Sequence, residues 1–135
     1  FKFYLEDEKN SESKYSLPLS FVYEPNSAIL KAGGFNSISN ELNVFKLHKH
    51  SHLYTSEFLI DFPGRSFKIE NVIFYNKKEI RKLGITKANI TTRNFPETVQ
   101  EIRKKFNIKD GGNLYLFFTT NTKNEKIAIV SSKID

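Results

Sequence analysis

Three histidines fall within five residues, at His48, His50 and His52, and form the one metal-like cluster in the sequence. In an extended strand their imidazoles would point to the same face, and neutral imidazole suits Zn²⁺ or Ni²⁺. Three ligands this close together, with Lys49 between them and no carboxylate nearby, make a poor coordination geometry. The sequence therefore favours a solvated turn, or a minor contact with phosphate, over metal binding.

Cofactor chemistry of the nucleotide type needs a glycine-rich turn between a strand and a helix, and neither glycine pair of this chain fits. Gly33 and Gly34 follow a predicted helix, whereas Gly111 and Gly112 precede a predicted hairpin strand. The sequence contains no cysteine, and the histidines are confined to one region, so a serine or threonine nucleophile has no obvious base and orienting group. We therefore expect this chain to hold no catalytic residue, cofactor or metal.

Positive charge is concentrated in the second half of the chain. Residues 1–64 hold six lysines against eight acidic residues, a net charge of −2, whereas residues 65–135 hold fifteen lysines and arginines against seven acidic residues, a net charge of +8. This asymmetry favours an anionic partner, with a merely solvated lysine-rich surface as the alternative. The candidate nucleic-acid contacts are Lys77, Lys78, Arg81, Lys82, Lys87, Arg93, Arg103, Lys104 and Lys109.

The tripeptide Arg93-Asn94-Phe95 precedes a predicted helix and combines a guanidinium, an amide and an aromatic ring. Such a group can grip a phosphate and stack on a base. For Arg93 the sequence favours a functional or inter-domain role. For Phe95 it favours packing in the core, next to Val99.

Composition sets the class of protein. The 135 residues are enough for one ordinary domain or two very small ones, and 39% hydrophobic with 27% charged residues is typical of a folded globular protein. No apolar run approaches the length of a membrane span and no signal peptide is recognisable, so the cytoplasm is the expected location. The chain has no methionine and begins at Phe1 in a strand-like run, which favours a fragment of a longer protein over a chain whose first residues are left out.

The first half predicts short strands and two short helices. Strands are predicted over residues 1–5, 17–23, 44–47 and 52–54, and helices over residues 27–32 and roughly 36–42. Asn26 is suited to cap the first helix and Gly33 to end it. Phe62-Pro63-Gly64 interrupts the pattern where the charge changes sign, and we place a domain boundary there, between residues 1–64 and residues 65–135.

The second half predicts the element order β-α-β-α-β-β, a two-layer α+β sandwich. Asn76 predicts the start of its first helix, and Pro96 is expected at the first position of its second helix. The second helix has one apolar face, formed by Val99, Ile102 and Phe106. Strands are expected over residues 67–73, 88–92, 114–120 and 127–130.

Several sequence strings occur in a specific order along the chain. They include Tyr23-Glu24-Pro25-Asn26, Ser51-His52-Leu53-Tyr54-Thr55-Ser56, Phe62-Pro63-Gly64-Arg65, Arg93-Asn94-Phe95-Pro96 and Lys109-Asp110-Gly111-Gly112. In these strings the chain resembles the C-terminal region of a bacterial family of class I SAM-dependent methyltransferases, over nearly its whole length. The resemblance implies an α+β fold of two small modules, a ferredoxin-like module over residues 1–64 and a THUMP-like domain over residues 65–135.

The resemblance also implies a function. THUMP domains are associated with RNA-modifying enzymes, in which they help to present tRNA to a catalytic domain. This chain would then be a non-catalytic accessory region that binds RNA of the tRNA type through a basic face, while the catalytic domain of the same polypeptide binds SAM. The family's glycine-rich cofactor motif and its Asn-Pro-Pro-aromatic motif are missing here, so methyl transfer cannot be assigned to this chain. The alternative is a structural module that docks on the catalytic domain or on a second subunit without binding nucleic acid.

Overall fold

The computed structural model of the protein describes residues 14–134, so the strand predicted over residues 1–5 lies outside the described residues. The described strands are β1 Phe21–Pro25, β2 Phe45–Lys46, β3 Tyr54–Ser56, β4 Gly64–Phe74, β5 Asn89–Arg93, β6 Leu114–Thr120 and β7 Lys126–Ile134. The described helices are α1 Ser27–Ala32, α2 Phe35–Glu41, α3 Lys77–Lys82 and α4 Val99–Phe106. None of these helices has the length and apolarity needed to cross a membrane.

All seven strands belong to one sheet, in the order β2-β3-β1-β4-β7-β6-β5. Neighbouring strands are antiparallel except β5 and β6, which are parallel. β4 joins the two halves of the chain, because it pairs with β1 on one edge and with β7 on the other. The α+β class and the β-α-β-α-β-β order of the second half are confirmed. The two modules share this continuous sheet.

All four helices lie on one face of the sheet. Tyr23 of β1 packs with Ile38 of α2, and Phe118 of β6 packs with Ile80 of α3 and Ile102 of α4. Residues directly opposite each other in neighbouring strands share a face. The strand registers, followed from β1 through β4 and β7 to β6, place Tyr23 on the same face as Phe118. The outward sides of α3 and α4 therefore form one surface of the second half.

The opposite face of the sheet has a core of its own. Val22, Phe67 and Phe117 point to this face and are buried there together with Leu47 and Leu53. The two leucines belong to the segment between β2 and β3, which thus covers the second face without forming a helix. Both faces of β6 and of the first part of β7 therefore carry buried apolar residues.

The sheet curls strongly around this second core. β1 and β5 are separated by three strands, so in a flat sheet they would lie ~19 Å apart. The Glu24 carboxylate of β1 nevertheless contacts the Arg93 guanidinium of β5 at 2.9 Å. The curl thus brings β1 close to β5 at the end of the sheet, and with them the two halves of the sequence into direct contact.

Helix ends follow local sequence signals. The Asn26 side chain accepts a hydrogen bond from the Ile29 N–H at 3.0 Å, and Gly33 ends α1 in the left-handed conformation, so both predictions are confirmed. Asn76 likewise accepts a hydrogen bond from the Glu79 N–H at 2.8 Å at the start of α3. Each side chain replaces a partner that the first turn of a helix lacks.

The predicted start of α4 at Pro96 is wrong, because the helix begins at Val99 with Thr98 as its cap. The Thr98 hydroxyl accepts a hydrogen bond from the Glu101 N–H at 3.1 Å, and the Glu101 carboxylate accepts one from the Thr98 N–H at 3.2 Å. This reciprocal capping box satisfies two backbone donors at once. A helix that started at Pro96 would have no such capping bonds from the proline side chain, so the start at Val99 is more stable.

The strand predicted over residues 17–23 is displaced, since β1 spans Phe21–Pro25. The Leu19 N–H donates to the Thr55 hydroxyl at 2.9 Å instead of to a backbone carbonyl. A side-chain acceptor at this point interrupts the backbone ladder, so regular pairing starts only beyond it.

Replacing the α4 cap tests the local part of this account. We expect Thr98→Ala to lower the free energy of unfolding by ~1 kcal/mol, because it removes one half of the capping box. Thr122→Ala is the matched control, since Thr122 is exposed in the turn between β6 and β7. Urea titrations should show a change of less than ~0.5 kcal/mol for the control. Equal losses in both variants would contradict the role of the capping box.

Candidate nucleic-acid interface

α3 and α4 bury their apolar residues and expose their basic ones. Ile80 of α3 and Ile102 of α4 are in the core. Because each helix buries only one stripe, the remaining positions face solvent. The predicted contacts exposed on these two helices are Lys77, Lys78, Arg81, Lys82 and Lys104.

The structure brings Lys87 and Lys109 together beside these helices. The two residues pair through their backbones in an isolated parallel β-bridge, in which the Lys109 N–H donates to the Thr86 carbonyl at 2.9 Å. Both are exposed. The Lys87 side chain lies against Gly111, where an added Cβ would meet its Cε at 2.9 Å. The glycine thus leaves room for the lysine stem.

The glycine pairs do not fit a cofactor such as SAM. Gly33 ends α1 and Gly34 caps α2, so this pair lies between two helices. Gly111 and Gly112 follow α4 and lie against Lys87, which fills the space beside them. The strand-turn-helix that a nucleotide cofactor needs is therefore offered by neither pair.

Arg103 is occupied within the fold. Its guanidinium donates to the carbonyls of Ala88 and Ile108 at 3.1 and 3.2 Å and pairs with Asp110 at 3.0 Å. Its side chain is only 21% exposed. These bonds fix the segments that carry Lys87 and Lys109, so Arg103 holds the basic surface in place and has few donors left for a ligand.

Arg93 is also occupied, in a contact between the two halves of the chain. The two oxygens of the buried Glu24 carboxylate pair with Arg65 at 2.6 Å and with Arg93 at 2.9 Å. The Arg65 guanidinium also lies 5.2 Å from the centre of the Phe67 ring, within cation–π range. Arg93 thus has the inter-domain contact that was one of its two predicted roles.

The remaining candidates differ in how free their charges are. Lys82 lies 3.6 Å from Glu79, one helical turn away. Within residues 14–134, the candidates that make no ion pair are Lys77, Lys78, Arg81, Lys87, Lys104 and Lys109. We call these six residues the basic surface. Because no carboxylate of residues 14–134 forms an ion pair with them, they are the candidates best able to bind phosphate.

His48 connects the two halves of the chain, and the three imidazoles are not arranged on one face. His48 begins a turn in which its carbonyl accepts from the Ser51 N–H, so the three imidazoles do not share the face of a strand. The Nδ1 of His48 accepts from the His50 N–H at 3.0 Å, so its Nε2 carries the proton and donates to Asn124 at 2.7 Å. Asn94, in the β5–α4 loop, also contacts Nδ1. Residues 14–134 contain no group of His, Cys, Asp or Glu suited to a metal ion.

His52 lies at the inner end of this turn in the left-handed conformation, with φ of 51°. Burial lowers the pKa of His52 to about 4, and the positive charges of Lys46, His50 and Arg93 act in the same direction. The His52 imidazole is therefore neutral in the folded protein at neutral pH.

An aromatic cluster beside α4 includes a network that the sequence did not reveal. The Phe95 ring packs against Tyr75 with centroids 4.9 Å apart, so its predicted core role is confirmed. The Tyr75 hydroxyl donates to the Glu97 carboxylate, which also pairs with Lys105 at 2.6 Å. The hydrogen bond from Lys105, followed by that from Tyr75, lowers the pKa of Glu97. Lys105 is thus neutralised, although by sequence alone it resembles its neighbour Lys104.

Comparisons with known proteins match this architecture. A family model described as THUMP domain-like matches residues 64–133, and one described as a ferredoxin-like domain matches residues 21–63, so both expected modules are confirmed. A crystal structure from Porphyromonas gingivalis W83, described as a "putative methyltransferase", is similar over 100% of this chain, with 37% sequence identity and a TM-score of 0.93. The matched region is 35% of that chain, so the present chain spans about a third of its length. No curated protein matches the chain.

The buried carboxylate can be tested by removing its charge. We expect Glu24→Gln to lower the free energy of unfolding by ~2–3 kcal/mol, because two guanidinium groups lose their common partner. This is less than the ~3–5 kcal/mol of a fully buried pair, since Arg65 is 41% exposed. Asp110→Asn is the matched control and should cost less than ~1 kcal/mol, because Asp110 is 80% exposed. Similar losses in the two variants would contradict the inter-module role of Glu24.

The titration of His52 predicts a pH dependence of stability. Its pKa is about 4 in the folded protein against an ordinary 6.5, so the unfolded chain binds the proton more readily between these values. Stability should therefore be complete above pH 6.5 and fall as the pH drops towards 4. His52→Asn should flatten this fall, since asparagine tolerates the left-handed conformation and does not titrate. Urea titrations at pH 7 and pH 5 compare the two proteins, and an identical pH dependence would contradict the assignment.

Proposed function

Because the chain belongs to the THUMP domain-like family, we propose that it is a non-catalytic accessory region of a SAM-dependent methyltransferase and that it binds RNA of the tRNA type. The catalytic domain of the same polypeptide would bind SAM and transfer the methyl group, while the present chain holds the substrate. The similarity to a longer protein described as a methyltransferase supports the first part of this proposal.

The basic surface is the observation that carries RNA binding. Its six residues lie on α3, on α4 and on the Lys87–Lys109 bridge, all within the second module. The two helices pack on the same face of the sheet, which directs their exposed sides to a common surface. Unpaired lysines and arginines on one surface attract the phosphates of a nucleic acid and release its counterions.

The structure changes the roles that we assign to the nine candidates. The six residues of the basic surface are proposed phosphate contacts. Arg103 and Arg93 are positioning residues, because their guanidinium groups bind acceptors within the fold. Lys82 is a weaker candidate, since Glu79 offsets part of its charge.

A purely structural module is the second candidate function. The first half of the chain has a net charge of −2 and exposes Phe58 and Leu59, which are 76% and 50% exposed. Such a surface suits contact with protein better than contact with nucleic acid. In this case the region would stabilise a larger assembly, and the charge of the second half would serve solubility alone.

Removing charge from the basic surface separates the two functions. The triple variant Lys78→Gln, Arg81→Gln and Lys104→Gln removes three unpaired charges from α3 and α4. If these residues contact phosphates, the dependence of log K on log salt should flatten by about 2–3, because each contact contributes ~0.7–0.9. The measurement is a titration of the full-length polypeptide with unmodified tRNA at several salt concentrations.

The control variant has the same net charge but leaves the basic surface intact. Lys31→Gln, Lys49→Gln and Lys123→Gln replace three lysines that are exposed elsewhere on the molecule. We expect the salt dependence of this control to match that of the unaltered protein. An equal change of the salt dependence in both triple variants would show that only net charge matters and would contradict the role of the basic surface. No tRNA binding at all would favour the structural module.

A further inference from the structure

One edge of the central strand β4 is only half covered. β1 pairs with β4 as far as Phe21 opposite Lys68, whereas β7 pairs with β4 as far as Ile127 opposite Phe74. Beyond Ile69, whose N–H donates to the Ser20 carbonyl, no strand of residues 14–134 lies on the β1 side. Residues 71–74 therefore form an open strand edge within the described part of the chain.

The backbone groups on this open edge are oriented for pairing. The Tyr75 N–H donates to the Lys126 carbonyl, on the side of β7. Because backbone N–H groups alternate in direction along a strand, those of Val72 and Phe74 point away from β7. A strand edge of this kind is a ready template for another extended segment, and natural proteins usually protect it with charge, proline or a covering element.

Apolar side chains accompany the open edge, although the cleft beside it is also lined by Glu79, Lys123 and Glu125. Phe74 is 59% exposed and Val72 is 37% exposed. They line a cleft of about 470 Å³ together with Leu17, Pro18 and Ile127. Large exposed apolar groups that line one cleft indicate a surface that another polypeptide covers.

We propose that the open edge of β4 and its apolar cleft are the docking site for the remaining polypeptide of the methyltransferase, through an extended segment that pairs with residues 71–74. The proposal rests on the proposed function only in taking this chain to be a region of that larger protein. The docked segment would place apolar side chains against Phe74 and Val72 and would extend the sheet by one short strand at this edge.

The remaining polypeptide is the occupant that the observations favour. In the structurally similar protein about two thirds of the chain lie outside the matched region, so a large amount of polypeptide has to be held against this fold. Leu17 and Pro18 belong to the segment through which the chain enters β1.

Hydrogen exchange resolved to single amides in the full-length polypeptide tests this docking. We expect the amides of Val72 and Phe74 to exchange at least about tenfold more slowly than those of the exposed loop at residues 57–59. Phe74→Ser should accelerate exchange at these two amides by about tenfold or more, because it removes the largest apolar contact of the cleft. Phe58→Ser is the matched control, since Phe58 is an exposed phenylalanine outside the cleft, and it should leave them unchanged.

Other results would overturn the docking proposal. Amides of Val72 and Phe74 that exchange as fast as the loop in the full-length polypeptide would show that nothing pairs with the edge. Equal protection in the 135-residue chain alone would assign the edge to residues 1–13, or to a second copy if the protection grows with protein concentration. Titration of Phe74→Ser with tRNA separates this proposal from RNA binding: a protected edge in a protein that binds no tRNA leaves the docking intact and rejects the RNA proposal.

Discussion

Hydrogen bonding along both edges of β4 is the constraint on which the rest of the structure depends. β1 occupies one edge over the first part of the strand, and β7 occupies the other edge over almost its whole length. Since β4 follows Pro63 directly, the first strand of the second module completes the sheet of the first. The two modules are therefore neighbours in sequence but one sheet in space, and neither keeps all its backbone bonds without the other.

The curl of this sheet turns a sequence boundary into a contact surface. Glu24, in the acidic first half, binds Arg65 and Arg93 of the basic second half, and His48 binds Asn94 and Asn124. These contacts neutralise part of the second half's positive charge on the inner side of the curl. Among the nine candidate residues, those that make no ion pair within residues 14–134 lie on α3, on α4 and on the Lys87–Lys109 β-bridge. The same arrangement thus fixes the two modules and selects which cations remain available to a ligand.

Local signals in the sequence predicted local structure well. The caps at Asn26 and Asn76, the end of α1 at Gly33 and the bounds of β6 depend on residues only a few positions apart, and each is found as expected. The start of α4 was missed because two adjacent signals competed, and the reciprocal bonds of Thr98 and Glu101 outweigh the preference of proline for the first helical position. The contacts of Arg93 could not be predicted in the same way. Its carboxylate partner is 69 residues away, and only the curl of the sheet brings the two together.

Whether the basic surface binds RNA is the central question, and chemical-shift mapping by NMR answers it most directly. Unmodified tRNA is added to the full-length polypeptide labelled with ¹⁵N, and the amide shifts of both modules are followed. The account predicts changes concentrated on α3, on α4 and around Lys87 and Lys109, with little change in residues 21–63. Shift changes confined to the first module, or none at saturating tRNA, would contradict it.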